Sequence, residues 1–202
     1  MTSLVEASFR ESMALKARVL EQQSETIAAM AHALLKGLKR GGKVLLCGNG
    51  GSAADAQHLA AELVNRFRRE RPALPAVALT TDTSVLTATA NDRAFEEVFA
   101  RQVEALGRPG DLLLLLSTSG RSPNLHRAAQ AARERGLTVL ALLGGDGGGL
   151  PGRCDLALVV PSDNTPRVQE VHILVGHILC DVVETALFGE GGEDYGTEPS
   201  GC

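Results

Sequence analysis

Along the first forty residues, apolar side chains recur at intervals of three and four: Leu15, Val19, then Ile27, Met30, Ala31, Leu34, Leu35 and Leu38. The spacing predicts two amphipathic helices over residues 3–40, with Gly41-Gly42 stopping the second. From residue 43 the pattern changes. KVLLC (43–47), PAVAL (75–79), DLLLLL (111–116), LTVLALL (137–143) and DLALVV (155–160) are short, nearly continuous apolar runs. Helical stretches around 53–69, 94–106 and 122–135 separate them, and a long helix over about 166–188 follows. Strands without polar alternation, spaced by helices, belong to a parallel sheet covered on both faces. The pattern thus predicts an α/β fold: a doubly wound, mainly parallel five-stranded sheet flanked by helices, with a helical N-terminal extension.

No repeat or long linker divides the chain, so residues 1–42 read as a helical extension and 43–188 as one domain. The segment 189–202, GEGGEDYGTEPSGC, is glycine-rich and acidic, and its composition predicts a disordered tail. The net charge of −4 argues against nucleic acid as a ligand, because duplex binding is carried by many Lys and Arg contacts. No run of roughly 18 apolar residues is seen, so no membrane span is expected. The first twenty residues alternate charge with apolar positions and lack the apolar core of a signal peptide, which predicts a cytoplasmic protein. Cys47, Cys154, Cys180 and Cys202 form no CxxC pair and are expected to be free thiols, with Cys47 a packing residue rather than a nucleophile. One Tyr, five Phe and no Trp leave few aromatic anchors. The N-terminal helices carry more apolar surface than two free helices can keep from water, so packing against another copy of the chain is expected.

Two strand–loop–helix junctions carry the chemistry. In doubly wound sheets, ligands sit at the carboxyl ends of strands, where helix N-termini present free N–H groups. GNGGS (48–52) lets backbone approach an anion, and Ser52 can cap the helix or bond a phosphate oxygen. Gly48-x-Gly50-x-x-Ala53 also fits a loose dinucleotide fingerprint, and a plain tight turn explains it equally well. STSGRS (117–122) follows the apolar run DLLLLL and clusters Ser117, Thr118, Ser119 and Ser122, more hydroxyls than a helix cap needs. Neither a Walker lysine nor a kinase motif is present, and residues 65–71, NRFRRER, lack the acidic residue a ribose would need. A phosphorylated small molecule is favoured over a nicotinamide cofactor.

The first loop opens a helix on which Asp55, His58 and Glu62 fall at i, i+3 and i+7, one face. An isolated helix histidine is ordinarily a surface or packing residue. His58 and Glu62, four apart, can reach one ion, and N/O donors suit Zn²⁺.

In order along the chain, CGNGGSAADAQH (47–58), ANDRAFEEVF (90–99), LSTSGRS (116–122) and RVQEVHILVGH (167–177) resemble the phosphoheptose isomerases, members of the sugar isomerase (SIS) domain family. The resemblance runs over about residues 10–188. It implies the SIS-type sheet and conversion of sedoheptulose 7-phosphate to D-glycero-D-manno-heptose 7-phosphate through an enediolate. That is the first step toward the ADP- or GDP-heptose precursors of lipopolysaccharide core or S-layer glycan. It also implies a homotetramer with active sites between subunits and one Zn²⁺ per subunit. By the resemblance, Asn49, Gly50, Gly51, Ser52 and Asp55 belong to the substrate site, Asn91 and Asp92 meet sugar hydroxyls, and Ser117, Thr118, Ser119 and Ser122 hold phosphate. His58, Glu62, Gln169 and His177 match the metal positions, Glu62 and Gln169 also touch substrate, and Glu62 with His177 forms the acid–base pair. His172 is expected to be structural.

Gln169 and His177 stand eight apart, roughly 12 Å of helix rise. A site using all four metal groups is therefore stretched or assembled across subunits, and the latter is expected. Glu62 cannot be a tight ligand and a free base at one instant, so ligand exchange and a metal-free route both stay open. NRFRRERPALPAVALTTD (65–82) and CDVVETALF (180–188) also resemble the DnaA initiator-associating protein, a non-catalytic relative. Possession of both Glu62 and His177 favours the enzyme. A third reading, a sugar-phosphate-sensing SIS module of a regulator, lacks an attached DNA-binding segment.

Overall fold

The computed structural model describes residues 1–189. In chain order the elements are α1 (Thr2–Lys39), β1 (Val44–Gly48), α2 (Gly51–Val64), β2 (Ala76–Ala78), α3 (Thr83–Asp92), α4 (Ala100–Leu106), β3 (Leu112–Ser117), α5 (Pro123–Glu134), β4 (Thr138–Gly144), β5 (Leu156–Val160) and α6 (Thr165–Phe188). Single 3₁₀ turns stand at Phe95–Glu97 and Pro151–Arg153. All strand pairs are parallel, in the order β2-β1-β3-β4-β5. The expected doubly wound, five-stranded α/β sheet is the one observed.

Alternate residues of each strand feed opposite layers. Val44, Leu46, Leu112, Leu114, Leu116, Leu140 and Leu142 join a core with α1, α2 and α6. Leu45, Cys47, Leu113, Leu115, Val139, Ala141 and Leu143 join a second core with α4 and α5. Two apolar faces per strand explain why LLLLL at 112–116 shows no polar alternation. Each fully buried leucine contributes roughly 1.5–3 kcal/mol relative to exposure.

Four expectations need correction. Residues 2–39 form one 38-residue helix, not two. The apolar rhythm lapses at Gln22-Gln23-Ser24-Glu25, but no Gly or Pro breaks the backbone there, so the helix runs on. It lies along α6: Ser12 Oγ donates to Glu170 at 2.6 Å and Arg167 to the Ser8 carbonyl at 2.9 Å. The short helix α3 was not expected. Its sequence, TSVLTATAND, is weak in helix formers, and it starts because Asp82 accepts from the Val85 amide at 3.0 Å. Helix α2 ends at Val64, five residues before the expected limit, and the stretch 94–106 divides into a 3₁₀ turn and α4. Finally, α6 is long and apolar enough to cross a membrane by length and composition, where no such run was expected. The fold accounts for its composition: 44% of the apolar window is buried inside the protein, against α1, α2 and the sheet.

Among the described residues Cys47, Cys154 and Cys180 are free. Burial raises the Cys47 thiol far above its ordinary range, as expected of a packing residue. Burial pushes Cys154 and Cys180 up to about 12. The expectations for Cys202 and for the acidic segment beyond Gly189 lie outside the described residues.

Candidate active site

The strand order reverses between β1 and β3, so a crevice opens at their carboxyl ends. The loops following these two strands are the two picked out by the sequence, and the fold sets them side by side. Asn49 and Asn124 join them with paired amide hydrogen bonds of 3.0 and 2.9 Å. Asn124, 2% exposed, was missed; its signal was a polar residue at the second helical position after four hydroxyls. Ser52 is buried in the first turn of α2 and is not the cap: Gly50, at φ 56°, takes that place. Gly51 is exposed at the first position of α2.

In the second loop Ser117 Oγ accepts from the Gly120 amide at 2.9 Å, and Ser119 Oγ from the Arg121 amide at 3.3 Å. Thr118 and Ser122 make no side-chain hydrogen bond among the described residues; Ser122 is the N-cap residue of α5, ahead of Pro123. Gly120 stands at φ 64°, and a Cβ there would fall on the Gly147 carbonyl. The glycine-rich loop 144–149 therefore braces the hydroxyl loop from behind. A cleft of about 540 Å³ opens on that β4–β5 side, lined by Thr118, Ser119, Arg121, Asp146, Ser162 and Asp163. Arg121 is ion-paired to Asp146 at 2.5 Å.

About 9 Å of helix rise beyond Ser52 along α2 stands His58. Its Nε2 is 2.8 Å from His177 Nε2 and 3.3 Å from Glu62 Oε1. One ligating atom from each of His58, Glu62 and His177 lies within 4.8 Å of the others. The close approach of α2 and α6 rests on Gly176, where a Cβ would press on Leu59 at 2.6 Å. Phe67 packs against His177 at 5.4 Å between ring centroids, a residue the sequence did not flag. Asp55 is half-buried on the same α2 face, its Oδ2 buried with no partner. Burial raises its pKa, opposed by the charges of His58 and His177.

Three of the four expected metal groups therefore meet within a single chain, so their assembly needs no second subunit. Gln169 sits at the other end: a Cβ at Gly51 would collide with its amide, which places it over the first loop. Asn91 and Asp92 are exposed at the end of α3, where Asn91 donates to Asp92 at 2.8 Å and no hydrogen bond ties either to the loops. His172 is fully buried and donates to the Leu143 carbonyl at 3.1 Å. Burial holds its pKa at about 4, the structural role expected.

Two histidines and a carboxylate suit Zn²⁺, and three protein donors leave a coordination position open, as in catalytic zinc sites. Asp55, whose buried Oδ2 has no partner, stands on the α2 face that presents His58 and Glu62.

The SIS domain family model matches residues 8–144. A phosphoheptose isomerase of Roseiflexus sp. (strain RS-1) is 57% identical over 179 residues, 89% of this chain and 91% of its own. The structure of a phosphoheptose isomerase from Neisseria gonorrhoeae superposes with a TM-score of 0.86 at 46% identity, covering 91% of this chain and 98% of that one. A phosphoheptose isomerase from Francisella tularensis superposes at 0.88 with 43% identity, over 92% and 100% of the two chains. The initiator-associating alternative finds no support among these relatives. With a family model over more than half the chain and relatives of this identity along most of it, the chain belongs to the phosphoheptose isomerase family of SIS-domain proteins.

Proposed function

We propose that the protein is an aldose–ketose isomerase that converts sedoheptulose 7-phosphate to D-glycero-D-manno-heptose 7-phosphate. The observation that carries this reading is the meeting of Glu62 and His177, from α2 and α6, one helix length below paired phosphate-type loops. The loops fix the phosphate: Ser117, Thr118, Ser119 and Ser122 with the α5 N-terminus on one side, and Asn49, Gly50, Gly51 and Ser52 on the other. Gln169 faces the sugar near the loop, Asp55 lies deeper toward the histidines, and Asn91 and Asp92 approach its hydroxyls from the rim.

At the reacting end, Glu62 takes the proton from C1 and returns one to C2, while His177 moves protons between the C1 and C2 oxygens. His58, hydrogen-bonded to His177 and 3.3 Å from Glu62, orients them. Within one chain His58, Glu62 and His177 are the residues that would hold zinc, which would supply polarisation of the carbonyl and stabilisation of developing negative charge, whereas Gln169 lies at the loop end.

A homotetramer with shared active sites is part of the proposal. A groove of about 600 Å³ between α1 and α6, lined by Leu20, Ile27, Leu35, Ile178, Val182 and Ala186, supports it. Val5, Phe9, Met13 and Leu20 extend it as an exposed stripe at helical spacing. Cytoplasmic location and supply of heptose for lipopolysaccharide core or S-layer glycan complete the reading.

The test is turnover of sedoheptulose 7-phosphate by the purified chain. Glu62→Gln and His177→Gln are each expected to lower kcat/KM by about 10²-fold or more. Wild-type protein without turnover, or variants with wild-type rates, overturn the reading.

A further inference from the structure

On α6, Glu184 stands seven residues after His177, two turns on along the same face. It is 1% exposed, and four donors converge on its carboxylate. Oε1 accepts from the Arg68 and Arg69 amides, both at 2.8 Å; Oε2 accepts from the Phe67 amide and Arg71 Nε, both at 3.0 Å. Burial alone would raise this carboxyl, but the three amides and Arg71 hold it below the ordinary carboxylate range.

Arg71 is equally buried, its side chain 1% exposed. Its remaining nitrogens reach back to α2: Nη2 donates to the Glu62 carbonyl and Nη1 to the Leu63 carbonyl, both at 2.8 Å. These are carbonyls of the helix's last turn, which have no partner within the helix. One guanidinium thus ties the backbone of Glu62 to α6. The loop held by Glu184 carries Phe67, whose ring backs His177. A buried Arg–Glu pair is a poor stabiliser, since its desolvation cost often matches what apolar residues would gain. What this pair does that an apolar pair would not is fix where Glu62 and Phe67 stand relative to His177.

We propose that Arg71 and Glu184 are positioning residues for the Glu62–His177 pair, setting α2 and the 67–71 loop against α6 without touching substrate. The inference rests on the isomerase reading for its catalytic meaning, though not for its structural content.

The test takes Arg71→Lys, which offers one ammonium where four acceptors meet, and Glu184→Gln, which keeps shape but not charge. In full-length protein each is expected to lower kcat by about tenfold or more, with KM for sedoheptulose 7-phosphate within about threefold, because the phosphate loops lie at the other end. In ¹⁵N-histidine-labelled protein the imidazole signals of His58 and His177 move, while those of His172, held by Leu143, stay. Should a single variant fail to fold, the double variant Arg71→Met/Glu184→Gln, with no uncompensated charge, is measured instead. Wild-type kcat, a loss confined to KM, or unmoved His58 and His177 signals overturn the proposal. Moved signals in a protein whose wild type turns over no heptose phosphate sustain the positioning role and reject the isomerase reading.

Discussion

Single atoms decide how the hydroxyl loop is shaped. Gly120 combines φ 64° with a backbone neighbour that leaves no room for a Cβ. Gly120→Ala is therefore expected to cost at least about 2 kcal/mol in denaturant unfolding and to weaken substrate phosphate binding, read as a raised KM. A stability within 0.5 kcal/mol of wild type, roughly the scatter of a neutral surface change, would contradict the assigned strain. At this scale the sequence showed the residues with local signatures: glycines, clustered hydroxyls, and a His and Glu four apart. It hid those whose role comes from a distant partner. Asn124 is defined by Asn49, seventy-five positions away, and Arg71 by Glu184, more than a hundred away. Neither has a local pattern.

Elements were legible where burial is periodic and obscure where capping decides. The five strands fell within a residue or two of expectation because two-sided burial leaves unbroken apolar runs. Helix α3 has no buried residue and depends on the Asp82 cap, so periodicity could not reveal it. The meeting of three of the four metal groups within one chain was hidden for the same reason in reverse. Spacing along α6 says nothing of α2, which Gly176 admits to contact. The buried end of α6 also sets a pH response. His172 is neutral in the folded state, its pKa lowered from 6.5 to about 4, so between those values the unfolded chain binds more protons. Stability is then fullest above pH 6.5 and falls as pH drops toward 4, by on the order of 3 kcal/mol. Denaturant titrations across that range should show the loss, and His172→Gln should flatten it. An unchanged slope in the variant would mean another group carries the response. Asp111 acts in the same direction at lower pH. Burial raises its carboxyl, but the Lys43 ammonium and the Lys43 and Arg108 amides outweigh that and hold it low.

For the whole molecule, the α1–α6 groove and the exposed stripe beside it are apolar surfaces left without partners in one described chain. Leu20→Glu with Ile178→Glu should dissociate the assembly in sedimentation and, if sites are shared between subunits, lower activity with it. Dissociated chains of full activity would show that each is complete. The central claim is narrower: Glu62 moves a proton between C1 and C2 of a phosphorylated ketose. The most direct measurement is turnover of sedoheptulose 7-phosphate in D₂O, with the position of deuterium read by NMR. The account predicts deuterium at C2 of the aldose and C1 of recovered ketose, and neither with Glu62→Gln. Product free of deuterium, or incorporation at the wild-type rate without the Glu62 carboxylate, would contradict it.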